Sequence, residues 1–167
     1  TLNAVILSEN PIHINKVLNI EGQKIGYLSY NQFISDYNDE LTATFQQFKN
    51  DGITDLVLDL RYTPGGSINT ANLLASLIVP TPTVSENKIF TRLLWNDRVM
   101  DYLVRFQGEE SENLVARFIT PSVNLNLNRV YVLVTRNTAS ASELVINCLK
   151  PYMDVIIIGA ENTTGKF

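Results

Sequence analysis

Short runs of apolar and β-branched residues alternate along this chain with stretches in which apolar residues recur every three or four positions. Residues 3–7 (Asn-Ala-Val-Ile-Leu) and 14–20 (Ile-Asn-Lys-Val-Leu-Asn-Ile) read as strands, and Glu21-Gly22 turns the chain into another at 24–30. A helix follows, capped by Asp36 or Asn38, with Leu41, Phe45 and Phe48 on one face and Asn50-Asp51-Gly52 as its stop. Residues 56–60 (Leu-Val-Leu-Asp-Leu) form a nearly continuous apolar run, which suits a strand covered on both faces. Thr63-Pro64-Gly65-Gly66 breaks it, and Ser67 can cap a helix carrying Ile68, Ala71, Leu74, Ala75 and Ile78 as far as Pro80.

The pattern weakens over residues 81–128. There, 89–95 suits a strand, 98–106 a short amphipathic helix, and 109–112 (Glu-Glu-Ser-Glu) a solvated loop. Regularity returns with a strand at 130–134, a helix at 140–149 and a strand at 155–158 ending on Gly159. Apolar strands alternating with helices define an α/β domain with a mainly parallel sheet and flanking helices.

Composition narrows the function. With 167 residues the chain holds one sizeable core and is too short for two ordinary domains. Thirteen basic against 17 acidic side chains, with no basic cluster, argue against nucleic acid or an anionic membrane surface as partner. No stretch approaches the roughly 20 apolar residues of a membrane-spanning helix. Cys148 is the single cysteine, so there is no internal disulfide, and with His13 as the single histidine no zinc set can be assembled.

Chemistry in α/β domains gathers at the carboxyl ends of strands, which selects residues 61–66, 136–142 and 160–166. The last looks like a phosphate loop. However, five residues separate Gly159 from Gly165 where four are required, and Phe167 replaces the hydroxyl after the lysine, so no nucleotide is expected. The middle loop, Thr138-Ala-Ser-Ala-Ser-Glu143, places hydroxyls where a strand gives way to a helix. Taken alone, Ser140 or Ser142 reads as a helix cap with Glu143 in the first turn, since capping serines far outnumber nucleophiles.

A nucleophilic serine needs a base. His13, between Ile12 and Ile14, suits a structural or surface role. Lys166 is the alternative, because adjacent parallel strands bring their end loops together and desolvation favours a neutral amine. A solvated loop lysine is the plainer reading of that residue. Gly65 and Gly66 offer unobstructed N–H groups for an oxyanion, or simply a tight turn into a helix.

At this point the motifs resemble a known family. Asp59-Leu-Arg-Tyr-Thr-Pro-Gly-Gly66 is similar to the Asp-Leu-Arg-x-Asn-Pro-Gly-Gly signature of the C-terminal processing peptidases, or tail-specific proteases. Residues 138–143 match their nucleophile motif, residues 159–166 resemble their Gly-Glu-x-Thr-x-Gly-Lys segment, and Lys24-Ile-Gly-Tyr-Leu with Phe33 fits the strand opening their core. The resemblance runs from about residue 20 to the end and is poor over 81–128. It implies a Clp-protease/crotonase-like fold and a serine endopeptidase with Ser140 as nucleophile and Lys166 as base. Ala141 and the Gly65-Gly66 pair would supply oxyanion N–H groups. It further implies substrates bound by their C-terminal tails, no cofactor or metal, and a periplasmic or cell-envelope location, in the style of a Gram-negative envelope protein. Residues 1–20 would be the connection from a preceding PDZ-like domain, and the family's closing strands, with a lysine-orienting Gln, would lie beyond residue 167.

The chain departs from the pattern at Thr63, where the family has Asn, and in an offset of 166 − 140 = 26 between Ser140 and Lys166, one more than usual. Two other readings use the same fold. One is a non-catalytic binding module, as in the retinoid-binding protein of the eye, which has no need of a serine facing a lysine. The other is an acyl-CoA enzyme, for which the acidic chain lacks a phosphate patch.

Overall fold

The computed structural model describes residues 9–165 of the chain; the strand expected at 3–7 lies outside them. β1 (Ile12–Ile20) and β2 (Gln23–Tyr30) form an antiparallel hairpin turned by Glu21-Gly22. α1 (Asn38–Asp51) buries Leu41, Thr44, Phe45 and Phe48 at helical spacing and ends on Gly52, whose left-handed backbone (φ 69°) lets its N–H close on the Lys49 carbonyl. β3 (Asp55–Asp59) leads into α2 (Ile68–Ile78), where the Ser67 side chain accepts from the Thr70 N–H.

The poorly patterned middle of the sequence contains α3 (Thr81–Ser85), β4 (Ile89–Arg92), α4 (Asp97–Gln107) and β5 (Val115–Arg117). β4 is shorter than the apolar run that suggested it, and α3 and β5 carry no apolar periodicity that would announce them. β4 and β5 pair as a separate antiparallel ribbon, closed by a small cluster of Leu103, Leu114 and Val115. Beyond β5 the chain runs along α2, held by Asn72 Nδ2 donating to the Arg117 carbonyl (2.7 Å) and by the Ile119 N–H donating to Ser76 Oγ (3.2 Å). Asn124 Nδ2 then caps the end of α2, donating to the carbonyls of Ser76 and Val79 at 2.8 Å each. β6 (Arg129–Val134), α5 (Ala141–Leu149) and β7 (Asp154–Gly159) complete the described chain.

The five-stranded sheet has the order β1-β2-β3-β6-β7, with every pair after the hairpin parallel. Each helical crossover thus steps the same way along the sheet. Right-handed crossovers that never reverse direction must place their helices on one face. Leu28, Tyr30, Leu56, Leu58, Val130, Val132 and Val134 line that face and are buried beneath α1, α2 and α5 in a single core.

The opposite face carries Ile25, Val57, Tyr131, Leu133, Ile156 and Ile158 and is open, with Ile158 50% exposed. The apolar run at 56–60 suggested cover on both faces of β3; among the described residues the one-way strand order places no helix on the second face.

The two faces should respond differently to truncation. Leu58→Ala is expected to lower the unfolding free energy by about 2–5 kcal/mol in urea titrations, and Ile158→Ala by less than about 1 kcal/mol.

Candidate active site

Because β3, β6 and β7 are neighbours and parallel, the three loops after them meet at one end of the sheet. They are joined mainly through backbone groups. Thr138 is fully buried at the junction: its Oγ1 donates to the Leu60 carbonyl (2.8 Å) and accepts from the Thr135 N–H (3.0 Å). Its carbonyl takes the Thr164 N–H from the loop after β7 (3.0 Å).

Thr63 does the same work on the other side. Its carbonyl accepts from the Ala139 N–H (3.2 Å) and from Ser142 Oγ (3.3 Å), while its own hydroxyl donates to the Tyr30 carbonyl at the end of β2. Thr63, where the motif resemblance expects Asn, is thus a buried, hydrogen-bonded side chain.

The two serines of the middle loop have different fates. Ser142 is fully buried and bound to Thr63. Ser140 is half-buried at the N-cap of α5, with φ 56° and ψ −118°. An ordinary N-cap is extended. A positive φ in a residue with a Cβ costs on the order of 1–3 kcal/mol and persists only where the surroundings enforce it. Here Ser140, one of the two serines that read as caps, holds the N-cap position in a strained strand-to-helix elbow, the backbone form that presents a nucleophile.

Gly65 packs directly against that elbow. A Cβ on Gly65 would lie 2.7 Å from the Ser140 Cβ and 3.0 Å from the Ala141 N, so only glycine lets the two loops touch. Gly66 is exposed beside it. Phe33 bridges this loop by donating its N–H to the Gly65 carbonyl (3.0 Å) and accepting from the Ser67 N–H (2.8 Å), a pairing that does not use the Gly66 N–H. The structure thus brings together Gly65, Gly66, Ser140 and Ala141, with Ala141 as the first residue of α5 and its N–H at the positive end of the helix.

Lys166 lies outside the described residues, but the segment leading to it is firmly placed. The Glu143 carboxylate, 5% exposed, accepts from the Ser140 N–H (2.8 Å) on one oxygen. Its other oxygen accepts from Thr163 Oγ1 (2.5 Å) and from the Gly165 N–H (2.6 Å). One side chain thereby ties the serine elbow to the residue before Lys166. The sequence marked Glu143 only as a first-turn acid; its second role rests on contacts 20 and 22 residues away that no local spacing records.

Asp59 organises the start of the first loop. Its buried carboxylate accepts from the Tyr27 hydroxyl (2.6 Å), the Arg61 N–H (3.1 Å), Arg61 Nε (2.9 Å) and Arg61 Nη2 (2.7 Å). Burial pushes the Asp59 carboxyl up, but these bonds outweigh it and hold it below the usual carboxylate range. The Arg61 guanidinium lies over the exposed Tyr62 ring, 5.5 Å from its centroid, and the Arg61 carbonyl accepts from Thr135 Oγ1 (2.6 Å).

The chain belongs to peptidase family S41, whose profile matches residues 24–167. It is 30% identical over 158 residues to a carboxyl-terminal-processing protease of Picosynechococcus sp., covering 94% of this chain and 32% of that protein. An S41 protease from Bacteroides fragilis superposes with a TM-score of 0.81 at 34% identity, over 96% of this chain and 41% of that one. The photosystem II D1 C-terminal processing protease shares the fold, with a TM-score of 0.67 at 22% identity over 96% of this chain and 38% of that one. The chain spans about a third of the length of the curated relatives it matches.

Two outcomes are expected of the tethers. Glu143→Ala should speed hydrogen exchange at the Gly165 amide by roughly tenfold or more, read by NMR, while leaving the amides of mid-α5 protected. For Asp59, whose carboxyl is depressed in the fold, the stability it contributes is complete above the unfolded value of about 3.9 and fades as pH falls through the lower folded value. The difference in unfolding free energy between the parent and Asp59→Asn should therefore be constant from about pH 5 to 8 and shrink below about pH 4.

Proposed function

We propose that this chain is the catalytic core of a serine endopeptidase that cleaves proteins near their C-termini. The observation that carries the reading is the Ser140 elbow, held at φ 56° against Gly65 and linked through Glu143 to the residue preceding Lys166. Membership of a peptidase family supports the reaction class.

In this reading the Ser140 hydroxyl attacks a peptide carbonyl. The Oγ–C bond forms as the hydroxyl proton passes to the neutral amine of Lys166. The resulting oxyanion receives N–H donors from Ala141 and from the Gly65-Gly66 pair, which pack beside Ser140. Collapse breaks the C–N bond, and the Lys166 ammonium returns the proton to the departing amine. A water molecule then repeats the sequence on the acyl-enzyme, with Lys166 accepting its proton, and regenerates Ser140. Lys166 must be substantially neutral for this, which requires that the folded site exclude water from it.

Recognition of substrate tails, a preceding PDZ-like domain and a periplasmic or envelope location belong to the same proposal, each with support from the motif resemblance alone.

The test is cleavage of unfolded casein by the full-length protein, with labelling by a fluorophosphonate probe. Ser140→Ala and Lys166→Ala should each lower cleavage by about 10³-fold or more while the protein stays folded, and Ser140→Ala should abolish labelling. A folded full-length protein that neither cleaves nor labels would sink the reading, as would a Ser140→Ala variant that still cuts.

A further inference from the structure

We propose that the free edge of β5 is where an extended stretch of substrate docks on its way to Ser140. The proposal rests on the peptidase reading and names the surface through which it would be exercised.

The register of the β4–β5 ribbon decides which backbone groups are free. Ala116 pairs with Thr91, the Leu93 N–H donates to the Leu114 carbonyl (2.8 Å) and the Phe118 N–H donates to the Lys88 carbonyl (3.0 Å). Residues 114, 116 and 118 therefore turn their backbone groups towards β4, and Val115 and Arg117 turn theirs the other way. Two of those four outward groups are used within the chain: the Val115 N–H donates to the Ser111 carbonyl (2.9 Å), and the Arg117 carbonyl accepts from Asn72 Nδ2 (2.7 Å). The remaining two, the Val115 carbonyl and the Arg117 N–H, flank Ala116 with the spacing that one residue of an added strand requires.

That edge opens on a groove of about 800 Å³ running between the Val115–Thr120 segment and Asn69. Asn69 lies in the first turn of α2, three residues past Gly66. A strand laid on β5 is thus delivered beside the glycine pair. Among the charged residues on the wall, Arg117 pairs with Glu110, and Glu112 leaves a single net negative charge. The groove accordingly suits a peptide stretch without acidic side chains, read through its backbone.

Arg117→Pro removes the edge N–H, and Arg117→Ala controls for loss of the guanidinium. Proline is tolerated on an edge strand where the N–H faces outward. In the full-length protein, Arg117→Pro should raise the KM for β-casein about tenfold over Arg117→Ala, with kcat unchanged within about twofold. Equal KM values overturn the proposal. Binding of fluorescein-labelled β-casein to the Ser140→Ala protein gives an arm independent of catalysis. The same tenfold ratio is expected between the two Arg117 variants made in that background, and a ratio of one, or no casein binding at all, overturns the proposal. Should Arg117→Pro fail to fold, exchange at the Arg117 amide of the Ser140→Ala protein decides: slowing on addition of casein supports the edge, and an unchanged rate rejects it. A parent protein that neither cleaves nor labels removes the peptidase reading, and the binding comparison still settles the edge.

Discussion

A helix that links two neighbouring parallel strands must cross right-handed, and in this domain the crossing is made repeatedly in one direction. The order β2-β3-β6-β7 follows, and with it two properties that no single residue determines. The helices α1, α2 and α5 fall on one face, so one hydrophobic layer serves as the core. The carboxyl ends of β3, β6 and β7 fall side by side, so their loops share a common space whatever their sequences.

Within that space, the loops are fastened to one another mostly by main-chain carbonyls. Leu60, Arg61, Thr63, Arg136 and Thr138 each accept from a hydroxyl or an amide of another loop. Such bonds depend on backbone position more than on side-chain identity. The exception is Glu143, a nearly buried carboxylate that accepts from the Ser140 N–H on one side and from Thr163 and Gly165 on the other. Removing a side chain of that kind leaves donors stranded in the interior, a larger loss than the bonds themselves.

Much of the frame was legible before any coordinates. The Phe45/Phe48 stripe, the Ser67 cap, the Gly52 stop and the β-rich runs at 130–134 and 155–158 are local signals, and the structure realises them within a residue or two. The middle was not legible. β5 has three residues and α3 five, too few for a period to show; β5 is fixed by β4 and by Asn72 of α2, and α3 is tied at Thr81 to Asn124 and Asn126. For the site, the Pro-Gly-Gly and Ser-Ala-Ser-Glu words pointed to two loops that the structure packs together. Read from the residues alone, they left Ser140 and Ser142 open as caps, and only the family resemblance singled out Ser140. The distinction is tertiary: Thr63 draws Ser142 inward, while Gly65 and the turn geometry hold Ser140 at the surface.

The backbone at position 140 also sets two selective pressures against each other. Glycine adopts a φ of 56° without strain, so a library screened for heat tolerance alone should drift towards glycine there and discard the hydroxyl. Under the proposed mechanism, a screen that rewards turnover would resist that drift. On that reading the thermal optimum of this fold and its chemical competence are not reached by the same sequence.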